Sequence, residues 1–247
     1  MAGLSTKKEQ GYREAMEAHL QTLSSEVSLS YLVNNFAVNA RRQEITRFLA
    51  RHELFKKILD RKGAILECGV FAGNGLMSWA QLSAILEPMV FMRSIYGFDT
   101  FEGFPSVDAK DLEGSQDADP KAGDLKDSCY ESLLRSIELF DENRLLNQFP
   151  MVSLVKGDFL ETSEQFIADN PHLLIALLFM DFDLYQPTKK ALEMFLPRMP
   201  KGSILAFDQI NNPGWPGETA ALLESVSLRD VEVQQFSFEP NIAYIVL

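Results

Sequence analysis

Two apolar runs of the chain stop abruptly at oxygen-bearing side chains. Asp181 and Asp183 follow Leu177-Leu178-Phe179-Met180, and Asp208 with Gln209 follows Ile204-Leu205-Ala206-Phe207. Brought together at adjacent strand ends, Asp181, Asp208 and Gln209 offer hard oxygen ligands suited to Mg²⁺, with waters and substrate hydroxyls completing an octahedron. No histidine or cysteine joins them, which argues against zinc. Capping of loop backbone is the plainer role for Asp208. A second candidate is Glu67-Cys68-Gly69-Val70-Phe71-Ala72-Gly73-Asn74-Gly75, which begins at the end of Ala64-Ile65-Leu66. An acid and three close glycines at the end of a strand let backbone approach a nucleotide-like ligand, where a Cβ would obstruct the turn or the ligand. The spacing is G-x-x-x-G-x-G rather than G-x-G-x-x-G, so an adenosyl group without a pyrophosphate fits it better than a dinucleotide. A tight strand-to-helix turn is the alternative.

Two further acids close strand-like runs. Asp99 ends Ser94-Ile95-Tyr96-Gly97-Phe98, 24 positions after Gly75, about the separation at which an acid after a second strand reaches ribose hydroxyls. Asp158, in Val155-Lys156-Gly157-Asp158-Phe159, is placed to accept from an adenine amine with Phe159 against the ring, or to cap a helix. The three histidines, His19, His52 and His172, fall outside these strand ends and are expected to be surface or packing residues.

The elements that must position these acids alternate along the chain. Apolar periodicity predicts helix from about 28 to 59, then strands at 64–71, 94–100, 151–158, 173–182 and 202–208. Helices at 74–86, near 128–142, near 163–170, at 187–199 and near 217–226 separate or follow them. Strand followed by helix, five times over, predicts a parallel sheet covered on both faces. Residues 231–238 and 242–247 are strand-like and only Glu239-Pro240-Asn241 separates them, so an antiparallel hairpin is expected to close the sheet. The expected fold is α/β: a doubly wound, mostly parallel, Rossmann-like seven-stranded sheet with an N-terminal helical extension. This order resembles the class I S-adenosylmethionine-dependent methyltransferase fold. The expected division is a helical extension over 1–62 and a catalytic domain over 63–247. Within the latter, 104–127 is acidic, lacks apolar periodicity and reads as a lid or a disordered segment.

Composition narrows the partners. The chain has 247 residues, 46% of them hydrophobic, and a formal net charge of -12 from 23 basic and 35 acidic side chains. Such a charge repels nucleic acid and anionic lipid. The basic cluster from Arg41 to Lys62, with Arg47 and Arg51 in it, reads as the solvated face of a helix. Two cysteines, Cys68 and Cys129, make neither a disulfide framework nor a metal-ligand spacing. With no apolar run near ~20 residues, a cytoplasmic protein with no membrane partner is the expectation.

Taken in succession, Glu67-x-Gly69-Val70-Phe71-x-Gly73, Gly97-Phe98-Asp99-Thr100-Phe101-Glu102-Gly103-Phe104-Pro105, Lys156-Gly157-Asp158-Phe159, Met180-Asp181-Phe182-Asp183-Leu184-Tyr185 and Phe207-Asp208-Gln209 resemble the macrocin O-methyltransferase (TylF/MycF) family over about residues 40 to 225. The resemblance implies Mg²⁺-dependent methyl transfer from S-adenosylmethionine to a hydroxyl of a deoxysugar, on a sugar nucleotide or a glycosylated natural product. It implies a cofactor site formed by Glu67, Gly69, Phe71, Gly73, Asn74, Asp99, Thr100, Phe101, Gly157, Asp158, Phe159 and Asp181. Asp181 is then both metal ligand and base, and Asp208 a second ligand. Gln209 departs from the family, which has another acid there; an amide oxygen still coordinates, but the site loses a charge. The family forms oligomers through N-terminal segments, so a homo-oligomer is expected. The competing readings are a methyltransferase acting on another diol, a cofactor-binding protein without catalysis, and a nicotinamide-dependent oxidoreductase, which the glycine spacing disfavours.

Overall fold

A computed structural model describes residues 7–115, 119–127 and 129–247. Asp117 of the acidic segment therefore lies outside the described residues. Five parallel strands, β1 (Ala64–Cys68), β2 (Ile95–Asp99), β3 (Val152–Lys156), β4 (Ile175–Met180) and β5 (Ile204–Phe207), are followed by β6 (Gln234–Phe236) and β7 (Glu239–Val246). The sheet order is β3-β2-β1-β4-β5-β7-β6. β7 runs antiparallel to β5, and β6 antiparallel to β7. Both neighbours of β1, β2 and β4, pair with it in parallel, so the chain reverses its direction of winding beside the glycine turn. That reversal opens a crevice at the carboxyl ends.

Every side chain of β1, β4 and β5 is buried, as strands covered on both faces must be. Because side chains alternate across a sheet, Ile65, Leu177, Phe179, Ile204 and Ala206 join one core. Leu66, Cys68, Leu178, Met180, Leu205 and Phe207 join the other. The first core is closed by α4 (Arg42–Lys56), α5 (Asn74–Leu86) and α7 (Tyr130–Asn143). The second is closed by α8 (Phe159–Asp169), α9 (Tyr185–Phe195) and α10 (Pro216–Ser225).

Three expectations change. The helix foreseen over 28–59 is broken into α2 (Leu29–Asn34), α3 (Phe36–Asn39) and α4, preceded by α1 (Lys7–Glu26). The breaks fall at Asn35 and at the extended residues Ala40 and Arg41. Ala50, Leu54, Phe55 and Ile58 are buried in the first core, so α4 belongs to the sheet's covering layer while α2 and α3 bury nothing. The hairpin turns at Ser237 and Phe238, because Phe236 already pairs with Glu239; Glu239-Pro240-Asn241 opens β7 instead. The 104–127 segment is also less open than its composition suggests. It carries α6 (Ala109–Leu112), capped reciprocally by Asp108 and Asp111. Buried Asp111 Oδ1 accepts from the Tyr185 N–H at 2.6 Å, and Gln186 Nε2 donates to Asp108 Oδ2 at 2.8 Å. Phe104 meets Trp215 edge-on at 6.0 Å.

Candidate active site

A cleft of about 290 Å³ lies at the carboxyl ends of the strands, lined on one side by the loops after β1, β2 and β3 and on the other by those after β4 and β5. Backbone outliers gather at the strand ends around it. Phe71, Phe101, Asp183 and Asn211 have φ of 49°, 55°, 63° and 62° and follow β1, β2, β4 and β5 in turn. Asp and Asn adopt this region readily, whereas in the two phenylalanines it costs energy and persists only where the surroundings impose it.

In the β1–β2–β3 half, Asp99 organises the glycine turn. Its Oδ2 accepts from the N–H groups of Val70 and Phe71, both at 2.8 Å, and its Oδ1 accepts from that of Phe101 at 2.7 Å. A carboxylate has about four acceptor directions, so one remains, and Asp99 as placed cannot take both hydroxyls of a ribose. Asp158 caps α8 by accepting from the Leu160 N–H at 2.9 Å and still lines the cleft. Gly69, Phe71, Thr100, Gly157 and Phe159 line it as expected. Gly69 has φ of 96°, and a Cβ on it would lie 2.0 Å from the carbonyl oxygen of Asp181. That glycine lets the turns after β1 and β4 cross.

Four members of the expected cofactor set sit elsewhere. Glu67 is on the face of β1 shared with Ile65, under α4 and α5, where the Trp79 indole N–H donates to it. Burial pushes its carboxyl from 4.5 up to about 7, against the pull of Arg51 and of the Trp79 hydrogen bond. Gly75 makes room for it, since a Cβ there would lie 2.2 Å from Glu67 Oε1. The alternation of Leu66 and Cys68 toward the opposite core already assigns Glu67 to this face. Gly73 caps α5, Asn74 is exposed in its first turn, and Phe101 is buried against Tyr130. None of these four lines the cleft.

The β4–β5 half brings Asp181, Asp183, Asp208 and Glu218 together, and Arg47 lies against two of them. Arg47, from α4, places Nη2 2.7 Å from Asp208 Oδ1 and 3.7 Å from Asp181 Oδ2. Burial alone would lower the Arg47 guanidinium, but Asp208 and Asp181 outweigh it and hold it above its ordinary value. Burial, then Asp208, pushes the carboxyl of Asp181 well up, and the same two causes raise Asp183 to about 7. Glu218 is fully buried at the start of α10. It accepts from the N–H groups of Asp183 and Gln209, and burial raises its carboxyl well above the ordinary range. Asp183 Oδ1, Asp208 Oδ1 and Arg47 Nη1 are buried without a hydrogen-bond partner.

Arg47 and Glu218 went unforeseen. Arg47 shares the buried face of α4 with Ala50, Arg51 and Leu54, at helical spacing. The apolar stripe on which the two arginines fall is thus the signal that corrects the solvated-face expectation. Gln209 is not directed as a ligand. Asn212 Nδ2 donates to its Oε1 at 2.6 Å, and the Gly214 N–H fixes the orientation of that asparagine through Oδ1. Its Nε2 faces Asp208 Oδ2 at 3.3 Å. Among the described residues no three His, Cys, Asp or Glu side chains converge as a metal-binding group. The donor chemistry that is present, two hard carboxylates in an excess of buried negative charge with Asp208 Oδ1 unsatisfied, suits a divalent cation held by Asp181 and Asp208.

The family model of macrocin-O-methyltransferase (TylF) matches residues 40–217. The solved structure of CalS11, a calicheamicin methyltransferase, is 32% identical with a TM-score of 0.89, covering 99% of this chain and 95% of its own. An apo structure of CalS11, described as a TDP-rhamnose 3'-O-methyltransferase, is 30% identical with a TM-score of 0.80, covering 98% and 95%. The O-methyltransferase NovP, 21% identical over 82% of this chain and 79% of its own, shares the fold with a TM-score of 0.63. A search of curated proteins finds no match. No helix among the described residues is long and apolar enough to cross a membrane. The chain belongs to the macrocin O-methyltransferase family and is an O-methyltransferase.

Proposed function

We propose that the chain transfers the methyl group of S-adenosylmethionine to a hydroxyl of a deoxysugar carried on a nucleotide or a natural-product scaffold. The observation that carries this reading is one continuous cleft. In it one wall (Gly69, Phe71, Asp158, Phe159) faces an acid pair (Asp181, Asp208) across the switch point of the sheet, in a chain 32% identical to CalS11 over 99% of its length. In-line displacement needs the acceptor oxygen held ~3 Å from the methyl carbon, so most of the rate comes from orientation. Asp181 takes the proton of the attacking hydroxyl; the burial that raises its carboxyl makes it a stronger base once ionised. Asp208 beside it holds the charge of the site, and Glu218 pins the backbone that carries Asp183 and Gln209. Asp181 and Asp208 would hold Mg²⁺, which, when bound, supplies Lewis-acid lowering of the hydroxyl pKa.

The segment 104–127, tied to α9 through Asp108 and Asp111 and to α10 through Lys110 and Glu224, acts in this reading as the lid over the acceptor. The helices α1–α3 form an extension that mediates self-association. Leu29, Val33, Phe36 and Val38 on it are well exposed, and sedimentation before and after removal of residues 1–40 tests this. The free thiols of Cys68 and Cys129 accord with a reducing cytoplasm. The functional reading is tested by incubating the protein with labelled S-adenosylmethionine, Mg²⁺ and a panel of nucleoside-diphosphate deoxysugars and catechol-like diols. Label in a sugar supports it; label in catechols alone moves the acceptor class. Tight cofactor binding with no product across the panel marks a non-catalytic binder.

A further inference from the structure

One cation already occupies the place where a divalent ion would sit. Arg47 Nη2 lies 2.7 Å from Asp208 Oδ1 and 3.7 Å from Asp181 Oδ2, so its charge stands between the two carboxylates. The arginine is held there from its own helix, since Ala50, Arg51, Leu54 and Phe55 anchor α4 in the core. Only one nitrogen of the guanidinium reaches the carboxylates: Nη2 meets both, and Arg47 Nη1 is buried without a hydrogen-bond partner. A guanidinium satisfied at such a place makes paired bonds to a carboxylate; this one does not. A third acid stands within its field, because Glu239 at the head of β7 also raises Arg47 and accepts a hydrogen bond from the adjacent Thr46 at 2.8 Å. The third ligand position meanwhile holds Gln209, with its oxygen committed to Asn212.

We propose that Arg47 is a built-in competitor for the divalent cation, exchanging with it on the Asp181–Asp208 pair and so setting how tightly the metal binds. The inference rests on the reading that Asp181 and Asp208 hold Mg²⁺. When the metal arrives, the guanidinium swings on its flexible stem toward Glu239, and the buried acids keep a cation throughout. The test is titration of the full chain with Mn²⁺, followed by electron paramagnetic resonance without cofactor, for wild type, Arg47→Met, Arg47→Gln and Asp208→Asn. Arg47→Met and Arg47→Gln are expected to bind Mn²⁺ about tenfold or more tightly than wild type, as removal of a competing charge requires; Asp208→Asn is expected to lose binding. A readout independent of catalysis accompanies it. In chelator, Arg47→Gln melts below wild type because the acids lose their cation, and Mn²⁺ raises its melting temperature more than that of wild type. Equal or weaker Mn²⁺ binding by both Arg47 variants overturns the exchange and leaves the metal reading intact. Absence of Mn²⁺ binding in every variant overturns both.

Discussion

The two halves of the cleft solve the problem of an acid at a strand end in opposite ways. In the β1–β2–β3 half, Asp99 accepts from backbone N–H groups of the β1 turn and of its own loop, and Asp158 from one in its own, so their charge is spent on shaping the turns. In the β4–β5 half, three buried carboxylates and the half-buried Asp181 gather where a guanidinium meets only Asp181 and Asp208, and burial raises Asp181, Asp183 and Glu218. The first arrangement is complete without a ligand and suits a binding wall. The second is under-compensated, and buried charge in that condition costs energy until a cation or a proton arrives. The contrast separates positioning from chemistry along a single sheet edge.

Substitutions that separate the halves should have effects in a definite order. Asp181→Asn keeps the shape of the acid half but removes its base, and is expected to lower kcat ~10²–10⁴-fold while calorimetry shows unchanged affinity for S-adenosylmethionine. A parallel loss of cofactor affinity would show that the halves are not separable. Glu67→Gln tests whether burial alone explains a raised carboxyl outside the cleft. The Glu67 pKa is raised from 4.5 to about 7, so the protonated form is favoured in the folded state. Its contribution is fully present below pH 4.5 and lost as pH rises through about 7. Denaturant unfolding of wild type should therefore weaken across that window by about 3 kcal/mol more than that of Glu67→Gln. Equal slopes in the two proteins would contradict the assignment. Asp99→Ala leaves three N–H groups without an acceptor at about 1 kcal/mol each, and should weaken S-adenosylmethionine binding about tenfold with little change in Mn²⁺ binding. The smallest effect is expected for Phe104→Ala, which loses an aromatic contact of about 1 kcal/mol with Trp215. It should raise the acceptor KM a few-fold through the lid and leave the cofactor KM alone.

The parallel sheet was legible because Ala64–Cys68, Ile175–Met180 and Ile204–Phe207 are continuous apolar runs, a pattern only strands covered on both faces sustain. The acids at their ends were legible for the same reason, since each stands out against an apolar run. Less of the site's internal wiring could be read. Glu67 looked like a cofactor ligand because it adjoins the glycines, yet the period of two turns it to the other face. Arg47 looked like one charge in a basic cluster; nothing local distinguishes it from Arg41 or Arg42 until α4 is laid against the sheet, because its partners Asp181 and Asp208 lie more than a hundred residues away. The turn between β6 and β7 escaped because Glu239-Pro240-Asn241 has turn composition, while the pairing of Phe236 with Glu239 decides the register. The acidic segment after β2 looked featureless because its order comes from two aspartates reaching α9, again a long-range effect.

Methyl transfer to a sugar hydroxyl across this cleft, with Asp181 taking the proton, predicts where a labelled methyl group ends up. The most direct measurement is mass spectrometry of a nucleoside-diphosphate deoxysugar incubated with S-adenosylmethionine carrying a deuterated methyl group, run with wild type and with Asp181→Asn. One labelled methyl group on the sugar ring with wild type, and almost none with Asp181→Asn despite equal cofactor binding, is the predicted result. Equal labelling by both proteins, or label that never leaves the bound cofactor in wild type, would contradict it.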